Sequence, residues 1–219
     1  MNQGITQNWI TGTLGSSVGK KLMMAVTGLS FCGFLTVHLA GNLTLYKGRD
    51  AFNHYAATLH TVEGLVLLAE LGLLFLALVH ITTGMVLFLK NRAARPVRYQ
   101  VNMIAGGRTI GSATMPYTGL ILLAFVVFHL MEFHFVDKTH TTVFDLVQGA
   151  FSSPVHVVLY IIVAFTAAIH VSHGLWSAFQ TVGINHPRYT PLIRNLGLVF
   201  AMVIGMGFGF LPIYIFLMA

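Results

Sequence analysis

Five stretches of about 20 predominantly apolar residues, near 22–46, 64–89, 117–136, 154–179 and 195–218, constrain this chain more than anything else in it. In hydrocarbon a helix satisfies all its own backbone hydrogen bonds, so each stretch of that length predicts one membrane-crossing helix. The expected fold is therefore all-α, a transmembrane bundle of five spans that forms a single membrane domain over residues 1–219. Composition agrees, since only 8% of residues are charged, against roughly 25% in a soluble domain. The first span is too long for a signal-peptide core and runs into "HLAGNLTLY" without a small-residue cleavage site, so it is expected to stay in the mature protein. Prolines help to mark the edges. Ser153-Pro154 reads as an N-cap followed by an N1 proline, Pro116 is expected to open the third span, and Pro191 to precede the fifth.

The +6 charge balance serves topology rather than nucleic-acid binding. Lys20, Lys21, Lys90, Arg92, Arg95, Arg98, Arg108, Arg188 and Arg194 fall on one side of the expected spans, against Lys47, Arg49 and Lys138 on the other. Cytoplasmic flanks carry the excess of lysine and arginine, which predicts a cytoplasmic N-terminus and, with five spans, a C-terminus outside. The basic loop from Lys90 to Arg108 then faces inward, toward anionic lipid or a soluble partner. The segment "KGRDAFNHYAATLHTVE" has a helical period of apolar residues and is expected to lie along the outer surface. Cys32 is alone in an apolar segment, so no disulfide framework exists.

Of the 11 histidines, His38, His80, His129 and His170 stand one in each of the first four spans, and the fifth span has none. An ionisable side chain at such depth is costly and points to function. Counted at 1.5 Å per residue, His38 and His129 each lie roughly 13 Å before the outer boundary, while His80 and His170 each lie roughly 25 Å inward from it. Two histidines at one depth on different helices can bind a haem iron from opposite faces, and two such layers would form a two-haem wire. Helices carrying "HITTG" and "HVSHG" place Gly84 and Gly174 one turn past His80 and His170, on the same face, where a larger side chain would crowd a porphyrin. That spacing selects His170 over His173 as the partner of His80. His173 falls on a neighbouring flank, suited to a backbone carbonyl, a propionate or a quinone. A histidine-lined proton transporter without cofactor is the competing class, and single membrane histidines often serve only as helix–helix hydrogen bonds worth about 0.6 kcal/mol.

The segments "SSVGKKLMMAVTGLSFCGFLTVHLAGN", "GRDAFNHYAATL" and "HVSHGLWSAFQTVGINH" resemble the cytochrome b membrane anchor of succinate dehydrogenase and fumarate reductase, in its bacterial two-haem, five-helix, single-subunit form. The resemblance covers nearly the whole chain. It implies a subunit of a succinate:quinone oxidoreductase in the bacterial cytoplasmic membrane, with flavoprotein and iron–sulfur subunits as partners and the succinate/fumarate chemistry on the flavoprotein. It implies two haems b, with His80 and His170 binding the proximal iron and His38 and His129 the distal one. Electrons would pass to menaquinone or another quinone near the distal haem. Glu70, read as the only acid deep inside a span, is then the candidate for quinone proton exchange, with Glu63 as its understudy. Arg108, Ser177 and Gln180 are reachable by depth as propionate partners of the inner haem. Ala168 stands where some fumarate reductases of this fold carry a proton-conducting glutamate, which leans toward succinate oxidation. A dihaem subunit of another respiratory dehydrogenase, and operation as a fumarate reductase, are the alternatives. The quinone type, haem potentials and any larger oligomer of the heterotrimer are left open.

Overall fold

The computed structural model describes residues 9–94 and 109–218, and every element among them is helical. A short helix α1 (Trp9–Gly15) leads into α2 (Ser17–Asn42), which continues as a tight 3-10 turn over Leu43–Lys47. Then follow α3 (Arg49–His60), α4 (Glu63–Ala93), α5 (Ile110–Phe133), α6 (Val143–Phe151), α7 (Pro154–Thr181) and α8 (Thr190–Met218). Five of these segments, Ser17–Lys47, α4, α5, α7 and α8, are long and apolar enough to cross a membrane. Leu65, Leu68 and Phe75 on α4 are each 66% exposed. An apolar face of that extent needs lipid or another protein against it, which makes this a multi-pass membrane protein.

Local chemistry explains the element ends. Ser16 caps α2 by accepting from the Gly19 amide at 3.0 Å, and Thr142 caps α6 through the Asp145 amide at 3.2 Å. Ser153 and Pro154 occupy the N-cap and N1 positions of α7, as the sequence implies, although the Ser153 side chain makes no capping bond. The third span differs from expectation. It begins at Ile110 rather than at Pro116, because Thr109 and Ser112 form a reciprocal capping box that starts the helix earlier. Pro116 lies inside α5, where a membrane helix tolerates it. The fifth span differs too: α8 begins at Thr190, so Pro191 sits in its first turn instead of preceding it, where the missing N–H has no intrahelical partner to lose. Gly48, at φ +92°, lets the chain turn from the 3-10 segment into α3.

Helix α2 packs on α4 and on α7, α5 packs on α7, and α8 lies along α7. The α7–α8 contact is made by small residues at four-residue spacing. A Cβ built on Gly205 would come within 2.8 Å of Ala168 Cβ, and one on Gly209 within 3.8 Å of Ala164 Cβ. Ala168 thus lies against α8, in a contact that requires glycine at 205. At the end opposite the lysines of α2, helices α3 and α6 cover the bundle. Arg49 pairs with Asp145, Asn53 Oδ1 accepts from the Phe144 amide at 3.1 Å, and Phe52, Val147 and Phe151 join the buried cluster of Leu45, Ile204, Leu211 and Ile215.

Candidate functional site: two layers of paired histidines

Two histidine pairs meet between the helices. His80 of α4 and His170 of α7 have ring centroids 6.5 Å apart, and His38 of α2 and His129 of α5 are 6.0 Å apart. These are the pairs that the depth counts group together. A metal–imidazole nitrogen bond is about 2.0–2.1 Å, so two rings gripping one ion hold their centres roughly 6 Å apart. Among the described residues no group of three or more His, Cys, Asp or Glu could hold an ion. Two facing imidazoles instead match the axial ligation of a haem, whose other four donors belong to the porphyrin.

In the His80–His170 layer, a threonine fixes each ring. Thr27 Oγ1 lies 2.9 Å from His80 Nδ1 and donates its own proton to the Met23 carbonyl at 2.7 Å. Thr118 Oγ1 lies 3.0 Å from His170 Nδ1 and donates to the Thr114 carbonyl at 3.1 Å. With each hydroxyl proton committed to its helix backbone, the oxygen accepts from Nδ1–H, and the lone pair is left on Nε2. Such outer-shell bonds set tautomer and ring orientation in metal-ligating histidines.

The His38–His129 layer is built differently. His129 Nδ1 lies 3.2 Å from the Tyr160 hydroxyl, which donates to Glu132 Oε2 at 2.5 Å. Glu132 Oε1 is also 3.1 Å from His156 Nε2. His38 stacks on Phe34 at 5.3 Å, and Asn42 Nδ2 approaches its Nε2 at 3.5 Å.

Glu132 is an acid that the sequence reading did not single out, and it is less exposed than either acid that it did. Its side chain is 17% exposed, against 44% for Glu70 and 80% for Glu63. It escaped notice because it lies near the end of α5, and its partners Tyr160 and His156 are on another helix. A sequence signal existed nonetheless: Glu132 follows His129 by three residues, which places it on nearly the same helix face. Glu70 lies 3.6 Å from His134, and Glu63 lies 3.8 Å from His60. All but His134 line a cavity of about 300 Å³, together with Leu67, Phe133 and Lys138. Phe133 also touches the His129 ring at a centroid distance of 5.2 Å.

The remaining candidates fall as follows. His173 Nδ1 is 3.2 Å from Thr109 Oγ1, and its ring meets Trp176 edge-on at 5.1 Å, so it is held at the start of α5 rather than in the His80–His170 layer. Gly111 permits this approach, since a Cβ there would come within 2.7 Å of His173 Cβ. Gly84 and Gly174 have Met24 Cε and Met115 Cε as their nearest neighbours, at 3.5 and 3.6 Å from a built Cβ. Ser177 is half-buried and Gln180 exposed in the last turns of α7. Arg108 lies outside the described residues.

These contacts expose an internal repeat that pattern reading had passed over. Met24, Thr27, Gly28, Phe34 and His38 on α2 recur at identical spacing as Met115, Thr118, Gly119, Phe125 and His129 on α5. Each member has the matching environment. Gly28 and Gly119 face Cε1 of His80 and His170, at 3.7 and 3.5 Å from a built Cβ, while Phe34 and Phe125 stack on His38 and His129. The α2–α4 and α5–α7 hairpins are therefore two copies of one design, and each histidine layer joins equivalent positions of the two.

Fold and site together define a class, a helical multi-pass membrane protein presenting two pairs of facing imidazoles in stacked layers. The chain is similar to the succinate dehydrogenase cytochrome b558 subunit of Bacillus subtilis (strain 168), with 28% identity over 174 residues that cover 78% of this chain and 81% of the relative. That is the family the motifs resemble. No family model matches the chain, and no solved structure matches it.

Proposed function

We propose that this chain is the dihaem cytochrome b membrane subunit of a bacterial succinate:quinone oxidoreductase, anchoring a flavoprotein and an iron–sulfur subunit and passing electrons to a membrane quinone. The carrying observation is the two layers of facing histidines, one of them locked at both rings by threonine. The homology to a succinate dehydrogenase cytochrome b subunit supports the choice of complex. The lysine and arginine excess supports a cytoplasmic position for the end bearing Lys20, Lys21 and Lys90, where the iron–sulfur subunit would dock.

Haem b held at each pair supplies one-electron transfer. His80 and His170 would hold the inner group and His38 and His129 the outer one, about 16 Å further along α2 by the eleven residues from Thr27 to His38. Thr27 and Thr118 keep the Nδ1 protons in place, and with them the Nε2 lone pairs of the inner layer. The outer cavity would admit the quinone headgroup, with Glu70 and His134 exchanging its protons and Glu63 connecting toward the surface. Phe133 separates that cavity from His129 by the thickness of one ring.

A reduced-minus-oxidised spectrum of the purified complex with pigment quantification tests the proposal. Two b-type haems per chain, copurifying with a flavin-bearing subunit and succinate activity, are expected. Fewer than two haems would overturn the ligation. Copurification with a dehydrogenase for another substrate would overturn the assignment to succinate.

A further inference from the structure

The two layers differ in what stands behind the ligands, and this difference has an electronic consequence. His129 Nδ1, the Tyr160 hydroxyl and the Glu132 carboxyl form one chain of hydrogen bonds, with steps of 3.2 and 2.5 Å. Because Tyr160 donates to Glu132, its oxygen accepts from His129 Nδ1–H. Glu132 is held from a second side by His156 Nε2 at 3.1 Å, while His156 Nδ1 is buried without a partner among the described residues. The rings of Phe125, Phe128, Phe133 and Phe151 surround Tyr160 at 4.9 to 6.4 Å and keep the chain dry, which strengthens each bond in it.

The repeat supplies an internal control. The position matching Glu132 in the first half is Gly41, and the one matching Tyr160 is Glu70, which pairs with His134 instead. Among the described residues no carboxyl group stands behind His38, whose ring is approached by the Asn42 amide. In the inner layer both rings end on a threonine whose proton goes to a backbone carbonyl, with no charged group at the end of the chain.

Resting on the haem ligation proposed above, we infer that Tyr160 and Glu132 are positioning residues that give His129 partial imidazolate character and so favour the ferric state of the outer haem alone. A carboxylate linked by hydrogen bonds to a metal-bound imidazole raises its basicity as a ligand, and a stronger donor stabilises the more oxidised ion. The relay holds the outer potential below the value that the same two imidazoles would otherwise set.

Redox titration of the intact complex, following the two haems separately by optical and EPR signals, tests this. Glu132→Gln and Tyr160→Phe are each expected to raise the outer midpoint and leave the inner one in place. A tenfold loss of ferric preference would read as 59 mV for one electron. Adding Glu132→Gln to Tyr160→Phe should produce no further rise, because the link is already cut. An unchanged outer potential with both haems present would overturn the inference and leave the ligation standing. An undiminished second shift in the double variant would also overturn it, since Glu132 would then act through space. Loss of a haem in wild-type protein would instead strike at the ligation itself. If Tyr160→Phe does not assemble, Glu132→Gln alone remains decisive through the outer midpoint.

Discussion

The two histidine layers come from one repeated design and yet stand on different supports. Thr27 and Thr118 are equivalent residues performing the same task for His80 and His170, so the inner layer is symmetric down to its hydrogen bonds. The outer layer breaks that symmetry, since one ring leads through Tyr160 to the half-buried Glu132 while the other rests on Phe34 and Asn42. The lesson is that a duplicated scaffold can fix ligand geometry twice over while leaving each copy free to tune its own electrochemistry. Symmetry lies where electrons would enter from the soluble partners, and asymmetry where they would meet the quinone.

That comparison can be broken most severely by removing a ligand. His170→Ala is expected to cost the inner haem and to stop electron flow from succinate to quinone. His173→Ala should keep both haems, because His173 is held by Thr109 and Trp176 outside the layer. The opposite result in the spectra would reverse the assignment of the inner ligand. Next in size, Glu70→Gln should leave both haems in place and slow quinone turnover on the order of 10²-fold, the usual worth of a positioned proton donor. Turnover unchanged across the pH range would remove Glu70 from the outer site.

A subtler cut separates the supports. Thr27→Val and Thr118→Val are expected to weaken retention of the inner haem by roughly 10–100-fold and to spare the outer one, as losses of second-shell partners do. Thr27→Ser should restore retention, since it keeps the hydroxyl. Equal loss of both haems in the valine variants would mean that the threonines act on packing rather than on one layer. The smallest effect concerns the cover over the outer layer. The Thr142 hydroxyl, followed by Arg49, holds the exposed Asp145 carboxyl below the ordinary aspartate value. Its contribution to the docking of α6 on α3 is therefore complete above about pH 3.9 and is lost as the pH falls through the lower folded value. Thermal melting of wild type and Asp145→Asn in acid should converge as that window is crossed. A difference that persists below it would assign the stabilisation to something other than the ionised carboxylate.

Much of this was legible in the sequence, for physical reasons. Bilayer thickness fixes span length, so hydropathy located all five crossing helices, but the proline boundaries misled: the capping box at Thr109 starts α5 ahead of Pro116, and α8 starts at Thr190, ahead of Pro191. A rigid helical rise turned residue counts into depth, and depth paired His38 with His129 and His80 with His170. What stayed hidden needed the rotation of one helix against another. Glu132 meets Tyr160 and His156 across the α5–α7 contact, which no count along one strand of sequence contains. The short helices α1 and α6 were also unforeseen, being too short to carry a periodic signal. The T-G-L triplets at 27–29 and 118–120, each followed by a histidine nine residues past the leucine, were in plain view, but they acquire meaning only once the matching contacts are known.

Every proposed ligand pair takes one imidazole from the α2–α4 hairpin and one from the α5–α7 hairpin. Each iron would therefore act as a rivet through two halves that already meet where α2 packs on α7 and α3 on α6, tightening a contact that the protein makes by itself.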